Sequence, residues 1–473
     1  MSRLFLVICF STILGNARSQ VQQYVTFRID SVVRATMEAK QIPGMQMVVS
    51  KFGLVLKKGK YGFANLETGT AVTDSTRFSV SAMSRAFTCA GILLLMEDGK
   101  LNIDDPVTKY FDSLPVAWAG ITLRRLMNNT SGMRDDWREN DSFFLANNND
   151  SAFFAALKKE PLKIQPGEGF YYGSGPFILG MIISKVSGES YADFMQQRIF
   201  DKLGMANTCI NDPGKIIPNR AAGYNLKDKQ LKNGRKISDA AAGRGDMGVL
   251  TTVTDMLKWY NALQDSSLLQ KSSLTLMFTP DTLNDGHAVA YGYGWFLNPY
   301  RDHALISHSG SFRTGFNSVI EMYPEDHVVI IILCNRQGAG LHFLAKDIIG
   351  LFNPDYARAS QMVKDPDQDS LRTMLHKQYF IDLGFGLDTC RKMLRKLHMP
   401  YYPVTREDLA PFKNISEFNF IRYISISKPT ADIFGDKIKS ICLYEVKHQD
   451  GNVRYYAFLL NESNKIVYID YEE

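Results

Sequence analysis

The sequence predicts an α+β protein: strands packed as antiparallel neighbours, helices beside them, and a smaller α+β appendage at the C-terminal end. Gly44-Met45-Gln46-Met47-Val48-Val49-Ser50 is an apolar strand, and Gly53 to Lys58 reads as its hairpin partner. Ala86 to Asp98 has helical periodicity and stops at Gly99, a residue suited to the position just past a helix. Ser318 to Glu321 and His327 to Cys334 read as strands joined by the turn Tyr323-Pro324-Glu325-Asp326.

Other elements follow the same periodicities. Residues 24–40 read as a helix, Ile178 to Val186 and Tyr191 to Leu203 as further helix, and Leu341 to Phe352 as the helix that closes this part. The Pro- and Asp-bearing stretch from Asn353-Pro354 to Asp365-Pro366-Asp367 reads as a linker. Beyond it come two helical segments and then alternating stretches at Phe420 to Ser427, Lys439 to Lys447, Val453 to Leu460 and Lys465 to Tyr471. Asp450-Gly451-Asn452 is a hairpin signal. The expected organisation is a leader over 1–19, a main domain over 24–355 and a small α+β domain over 366–473.

Bulk properties fit a globular chain. At roughly 100–200 residues per domain, 473 residues allow two or three domains. The 45% hydrophobic and 22% charged content is ordinary, and a net charge of +5 gives no warrant for a nucleic-acid or membrane partner. Arg3 precedes the apolar run Leu4 to Leu14, and Ala17-Arg18-Ser19 puts small residues before a cut at Gln20. Charge, a short apolar core and a small-x-small exit make a secretory signal, so a secreted, periplasmic or extracellular protein is expected; the run is short for a bilayer anchor. No other segment is apolar and long enough to span a membrane. Cys89, Cys209, Cys334, Cys390 and Cys442 remain after cleavage; they are widely spaced, cannot be paired from sequence, and have no metal-ligand spacing. Neither a metal nor a cofactor is expected. Asn128, Asn149, Asn414 and Asn461 each begin a glycosylation sequon.

One stretch carries chemistry. Asp74 to Thr88, with Arg77-Phe78-Ser79-Val80-Ser81-Ala82-Met83-Ser84-Arg85-Ala86-Phe87-Thr88, resembles the active-site helix entry of the penicillin-binding proteins and class C β-lactamases, where a small-Ser-x-x-Lys motif stands. Further landmarks follow in order: Gly99 to Val107, Ile121-Thr122-Leu123-Arg124, Asn129-Thr130-Ser131-Gly132 (with Asn129 where the family has His), Pro166-Gly167, Tyr171-Tyr172-Gly173-Ser174, Leu203-Gly204-Met205, Gly245 to Thr252, Gly292-Tyr293-Gly294-Trp295 and His308-Ser309-Gly310. The resemblance spans about residues 25–355. It implies a β-lactamase/transpeptidase-like α/β sandwich, an antiparallel sheet flanked by helices with an inserted helical region, and a serine-hydrolase site.

In that family a Ser at a buried helix entry attacks a carbonyl, a Lys one turn later eases loss of the hydroxyl proton, and a Tyr passes the proton to the leaving group. The His/Lys-x-Gly strand contacts substrate, and backbone N–H groups form the oxyanion hole. The register from Phe78 and Phe87-Thr88 puts the nucleophile position at Ala82 and the base position at Arg85. A methyl group cannot attack, and a guanidinium is not deprotonated in proteins. Loss of a serine nucleophile alone costs roughly a million-fold in turnover. Ser81 and Ser84 flank the position, but each residue turns about 100° around a helix, so neither inherits Ala82's direction. The chain's only Ser-x-x-Lys, Ser425 to Lys428, lies in an alternating stretch where its Ser and Lys would face opposite sides.

The other motifs are kept in part. Spacing from Pro166-Gly167 selects Tyr172 as the functional tyrosine and spacing back from Leu179-Gly180 selects Tyr171; the pattern Phe170-x-Tyr172 favours Tyr172. Ser174 then stands where the family has Asn. His308 is expected to line the pocket, with Ser309 and Gly310 as ligand contacts and Gly310 permitting close backbone approach. The residues therefore point to a pseudoenzyme that binds a peptide, glycopeptide or ester-like ligand, or a protein partner through the C-terminal domain. The alternative is an active hydrolase (an esterase, amidase or D-peptidase) whose nucleophile has moved, to Tyr172 or Ser84 for instance.

Overall fold

The computed structural model describes residues 25–133, 149–236, 243–385, 409–427 and 437–472; the leader read at 1–19 lies outside them. Helix α1 (residues 25–39) runs into β1 (Gly44–Lys51) and its hairpin partner β2 (Leu54–Asn65), followed by the short strands β3 (Thr70–Ala71) and β4 (Phe78–Ser79). Helix α2 (Ser84–Glu97) opens a helical region that includes α3 (Gly175–Ser187), the short strands β5 (Cys209–Ile210) and β6 (Val249–Thr251), and α4 (Val253–Asp265). The helix read over Tyr191 to Leu203 is α-helical only at Tyr191–Met195 and passes into a π-helical turn at Gln196–Asp201. Strands β7 (Ile306–Phe312), β8 (Phe316–Tyr323) and β9 (Val328–Cys334) then return to the sheet, and α5 (Leu341–Gly350) packs on it.

The main sheet has the order β7-β8-β9-β1-β2-β3, antiparallel throughout, with Met47 opposite Ile332 where the first and last strands meet. Helices cover both faces. Met45, Met47, Val49, Ile330 and Ile332 share a core with Ile29 and Val33 of α1 and Leu344 and Ile348 of α5. Val48, Ile331 and Leu333 point the other way, toward Phe87 of α2 and Trp259 of α4. With both faces covered, β1 and β9 read as continuous apolar runs instead of alternating ones. Helix α2 lies in the interior and is buried from Ser84 to Leu95, which is why its apolar residues run all round it. It ends where Gly99 takes φ +70° and the Lys100 N–H bonds back to the Leu95 carbonyl. Cys89, Cys209, Cys334 and Cys442 are free thiols.

Helix α6 (Ser370–Gly384) and strands β10 (Ile415–Ser425), β11 (Ser440–His448), β12 (Val453–Leu460) and β13 (Ile466–Glu472) follow. The strands pair in sequence order, and Gly451 turns the β11–β12 hairpin at φ +85°. Phe418, Tyr444 and Phe458 on one face pack on Phe380 and Leu383 of α6, while Ile421, Leu443 and Ala457 on the other meet Ala359. Of the two helical segments read here, α6 is one, and residues 386–408 lie outside the described residues. The stretch read as a linker is held in place: Arg358 donates to both carboxylate oxygens of Asp347 on α5, at 2.5 and 2.8 Å.

Candidate functional site

Strand β4 pairs with β6, and the Val80 N–H continues that pairing to the Val249 carbonyl at 3.1 Å. The chain then turns sharply. Ser81 takes φ +49°, a left-handed conformation that costs a non-glycine residue roughly 1–2 kcal/mol, and a 3-10 turn over Ser81–Met83 feeds α2. Ala82 therefore stands half-buried at the helix entry, beside the edge strand β7. The approach is close: a methyl placed on Gly310 would lie 2.0 Å from the Val80 carbonyl oxygen and 3.0 Å from the Ala82 nitrogen. Ser318 on β8 donates to the same Val80 carbonyl at 2.8 Å. The sharp turn into α2 thus presents the methyl group of Ala82.

Arg85 lies on the same face of α2 and is wholly buried. Its Nη1 donates to the Gly173 carbonyl at 2.8 Å and to Asn129 Oδ1 at 3.2 Å, and its guanidinium sits 3.8 Å over the ring of Tyr172. Asn129, with φ +60°, also takes the Gly173 N–H on Oδ1 and the Tyr171 N–H on its carbonyl. Asn129 and Arg85 together thus fix the backbone of the tyrosine loop. Of the two tyrosines, Tyr172 meets Arg85 and stacks on Phe296 at 6.2 Å, while Tyr171 is buried. Ser174 is buried at the start of α3. Asn128 and Asn129 are each 2% exposed, which leaves no room for a glycan there.

On the facing edge, His308 is 1% exposed, with its ring 5.7 Å from that of Phe296. Its Nδ1 bonds the Ser309 carbonyl at 2.7 Å, which puts the proton on Nδ1 and the lone pair on Nε2. Burial and the nearby Arg85 charge push its pKa down to about 3, so the imidazole is neutral. Ser309 is exposed, and Gly310 lies against the elbow. The Ser307 N–H and carbonyl bond Phe296, on the side of β7 away from β8. Antiparallel strands alternate their bonding direction, so the backbone groups of Ser309 and Ser311 point away from β8 as well, the Ser309 carbonyl being the one His308 engages.

Ser84 is directed elsewhere: its hydroxyl accepts the Val249 N–H at 3.0 Å, and the side chain is fully buried. Among the described residues no group of His, Cys, Asp and Glu is arranged to hold a metal ion. Several sequence landmarks turn out to be contacts with this site. Gly294 packs so closely on α2 that a methyl there would stand 2.7 Å from the Ala86 Cα, and Thr88 donates to the Gly245 carbonyl at 2.6 Å. Phe296, Tyr291 and the Gly173 carbonyl carry no sequence signature of their own; for Phe296 the signal was its place directly after Gly292 to Trp295.

Buried helix, tyrosine loop and edge strand converge on the Ser81–Ala82 elbow in the manner of a serine acyl-transfer cleft. The chain belongs to the β-lactamase family: the family model described as Beta-lactamase matches residues 29–351. Penicillin-binding protein 4* of Bacillus subtilis (strain 168) is 29% identical over 314 residues, 62% of this chain and 68% of that protein. Protein flp of Staphylococcus aureus (strain COL) is 27% identical over 65% of this chain, which spans 62% of that relative's length. Among solved structures, the octameric penicillin-binding protein homologue from Pyrococcus abyssi superposes with TM-score 0.62 at 20% identity, over 92% of this chain and 96% of that one. That coverage exceeds what residues up to 351 of 473 can supply, so the likeness in fold reaches into the C-terminal part. D-amino acid amidase from Ochrobactrum anthropi matches with TM-score 0.60 at 21% identity, over 72% of this chain and all of that one. No described helix is long and apolar enough to cross a membrane.

Proposed function

We propose that this member of the family is a secreted pseudoenzyme, exported by the leader at 1–19, whose inherited cleft binds a peptide, glycopeptide or ester-like ligand without turning it over. The observation that carries the reading is the pair Ala82 and Arg85. The attack position holds a methyl group, and the base position holds a fully buried guanidinium fixed to Gly173, Asn129 and Tyr172. A peptide-like ligand suits this edge, because β7 turns the Ser309 N–H and the Ser311 backbone groups away from β8, toward an extended chain. Tyr172, His308, Ser174, Ser309 and Gly310 are then ligand-side residues. The segment 366–473 is a separate small domain available to a protein partner.

A second reading, hydrolysis with a relocated nucleophile, draws on His308, whose neutral Nε2 has no hydrogen-bond partner among the described residues. Ser84 is a poor nucleophile for it, being committed to Val249. Intact-protein mass spectrometry after exposure to a β-lactam and a fluorophosphonate separates the readings, with the Ala82→Ser/Arg85→Lys chain run alongside. The pseudoenzyme reading expects no adduct on the natural chain and an adduct at residue 82 of the double variant. A stoichiometric adduct on the natural chain refutes it. Ester turnover that disappears in Tyr172→Phe would identify the relocated group.

A further inference from the structure

Residues 296–307 form a hairpin that no motif announces. Its rungs are Phe296 with Ser307 and Tyr300 with His303, and its tip is Arg301-Asp302. The base of the hairpin belongs to the cleft. Phe296 stacks on Tyr172, and its ring also meets Tyr291 at 4.8 Å and His308 at 5.7 Å. Ser307 continues directly into His308 and Ser309 of the edge strand.

The tip belongs to the C-terminal sheet, which holds it from both of its outer strands. Arg301 is 4% exposed and donates from Nη2 to Glu472 of β13 at 2.9 Å, and the same carboxylate takes the Ala359 N–H at 3.1 Å. Nη1 of Arg301 donates to the Asp355 carbonyl at 3.0 Å and to the Ala357 carbonyl. Asp302 accepts the backbone N–H and the hydroxyl of Ser427, just past β10, at 2.7 and 3.0 Å. Arg301 stands at φ +57°, the left-handed backbone that the first residue of a two-residue hairpin turn takes. A short turn at this position needs none of these contacts to reverse the chain. They fasten one end of a paired ribbon, and from His303 to His308 an extended chain covers about 17 Å.

We propose that Arg301 and Asp302 are positioning residues for the cleft, through which the C-terminal sheet sets where Phe296 and the Ser309–Ser311 edge stand. The consequence for ligand binding rests on the reading of that edge as the ligand-facing side; the mechanical claim does not. Hydrogen exchange on the full chain tests it without any ligand, in Glu472→Gln and Asp302→Ala made singly. The expected result is faster exchange, by about tenfold, in peptides covering 304–312, with β1, β9 and β11 unchanged. Release of the tip with β7 exchange unaltered overturns the proposal, and so does a uniform rise across all strands, which is the signature of a merely structural contact. Asp302→Ala removes only a partly exposed acceptor, so the test stands even if Glu472→Gln fails to fold. Failure of the cleft reading would appear separately, as no adduct on the Ala82→Ser/Arg85→Lys chain with the exchange pattern intact.

Discussion

Arg85 is the residue whose substitution says most about the site. Arg85→Met keeps much of the volume while removing the charge and the donors. The Gly173 carbonyl then loses its partner, at a cost of about 1–3 kcal/mol, and the stacking on Tyr172 loses about 2 kcal/mol. Against this, a cation no longer has to be held out of water, which returns several kcal/mol on the order of the losses. Arg85→Met is therefore expected within about 2 kcal/mol of the natural chain. Arg85→Ala suffers the same losses and also opens a cavity in a fully buried site, adding about 2–5 kcal/mol. Urea unfolding followed by circular dichroism on all three chains measures the gap. Equal, near-neutral effects of Met and Ala would refute the reasoning, because they would mean that the guanidinium lies in solvent and supports nothing.

Other perturbations give separable outcomes. His308 takes up its proton only near pH 3 in the folded chain but near 6.5 when unfolded, so its contribution is complete above pH 6.5 and falls as pH drops toward 3. The loss at pH 5 is about 2 kcal/mol, and His308→Gln should lack that part of the decline in denaturation series from pH 7 to pH 5. His376, held down to about 4 by burial and Arg372, slopes the same way in both chains and cancels in the comparison. Gly310→Ala drives a methyl onto the Val80 carbonyl and should lower stability by about 1–3 kcal/mol by thermal melting. Ser84→Ala strands the Val249 N–H and should cost about 1–3 kcal/mol while leaving any fluorophosphonate adduct unchanged.

The fold was legible because its strongest signals are local. The β1 run and the all-round apolar α2 with its terminating Gly99 each state their own burial, whereas β11, read as alternating, is buried on both faces. The order of landmarks around the site was legible for a related reason: Gly294, Gly245 and Gly310 mark close approaches that exclude a side chain, and such constraints are visible residue by residue. What stayed hidden was partnership across distance. Nothing in the sequence joins Arg85 to Asn129, 44 positions away, or Arg301 to Glu472, 171 positions away, because a buried Arg and a surface Arg are the same letter. Periodicity missed the π-helical turn at Gln196–Asp201 because such a turn shifts the phase of a helix without breaking its apolar pattern.

On the pseudoenzyme reading proposed above, Ala82 and Arg85 are coupled through what a buried cation can do. A buried lysine shifts its pKa readily and can serve as a proton acceptor; a guanidinium cannot, but its planar fork matches a carbonyl and an aromatic face at once. With no hydroxyl at position 82, a proton acceptor at 85 would have no proton to accept, and the contacts of Arg85 suit a strut. The permanent charge then acts on its neighbour, adding to the burial that already keeps His308 neutral. Ala82→Ser alone would accordingly restore a hydroxyl beside a group that cannot take its proton, so the adduct should need Arg85→Lys as well. The left-handed turn at Ser81 persists because the Val249 carbonyl and the Ser318 hydroxyl hold Val80 on either side of its peptide, and neither contact involves the side chain of residue 82.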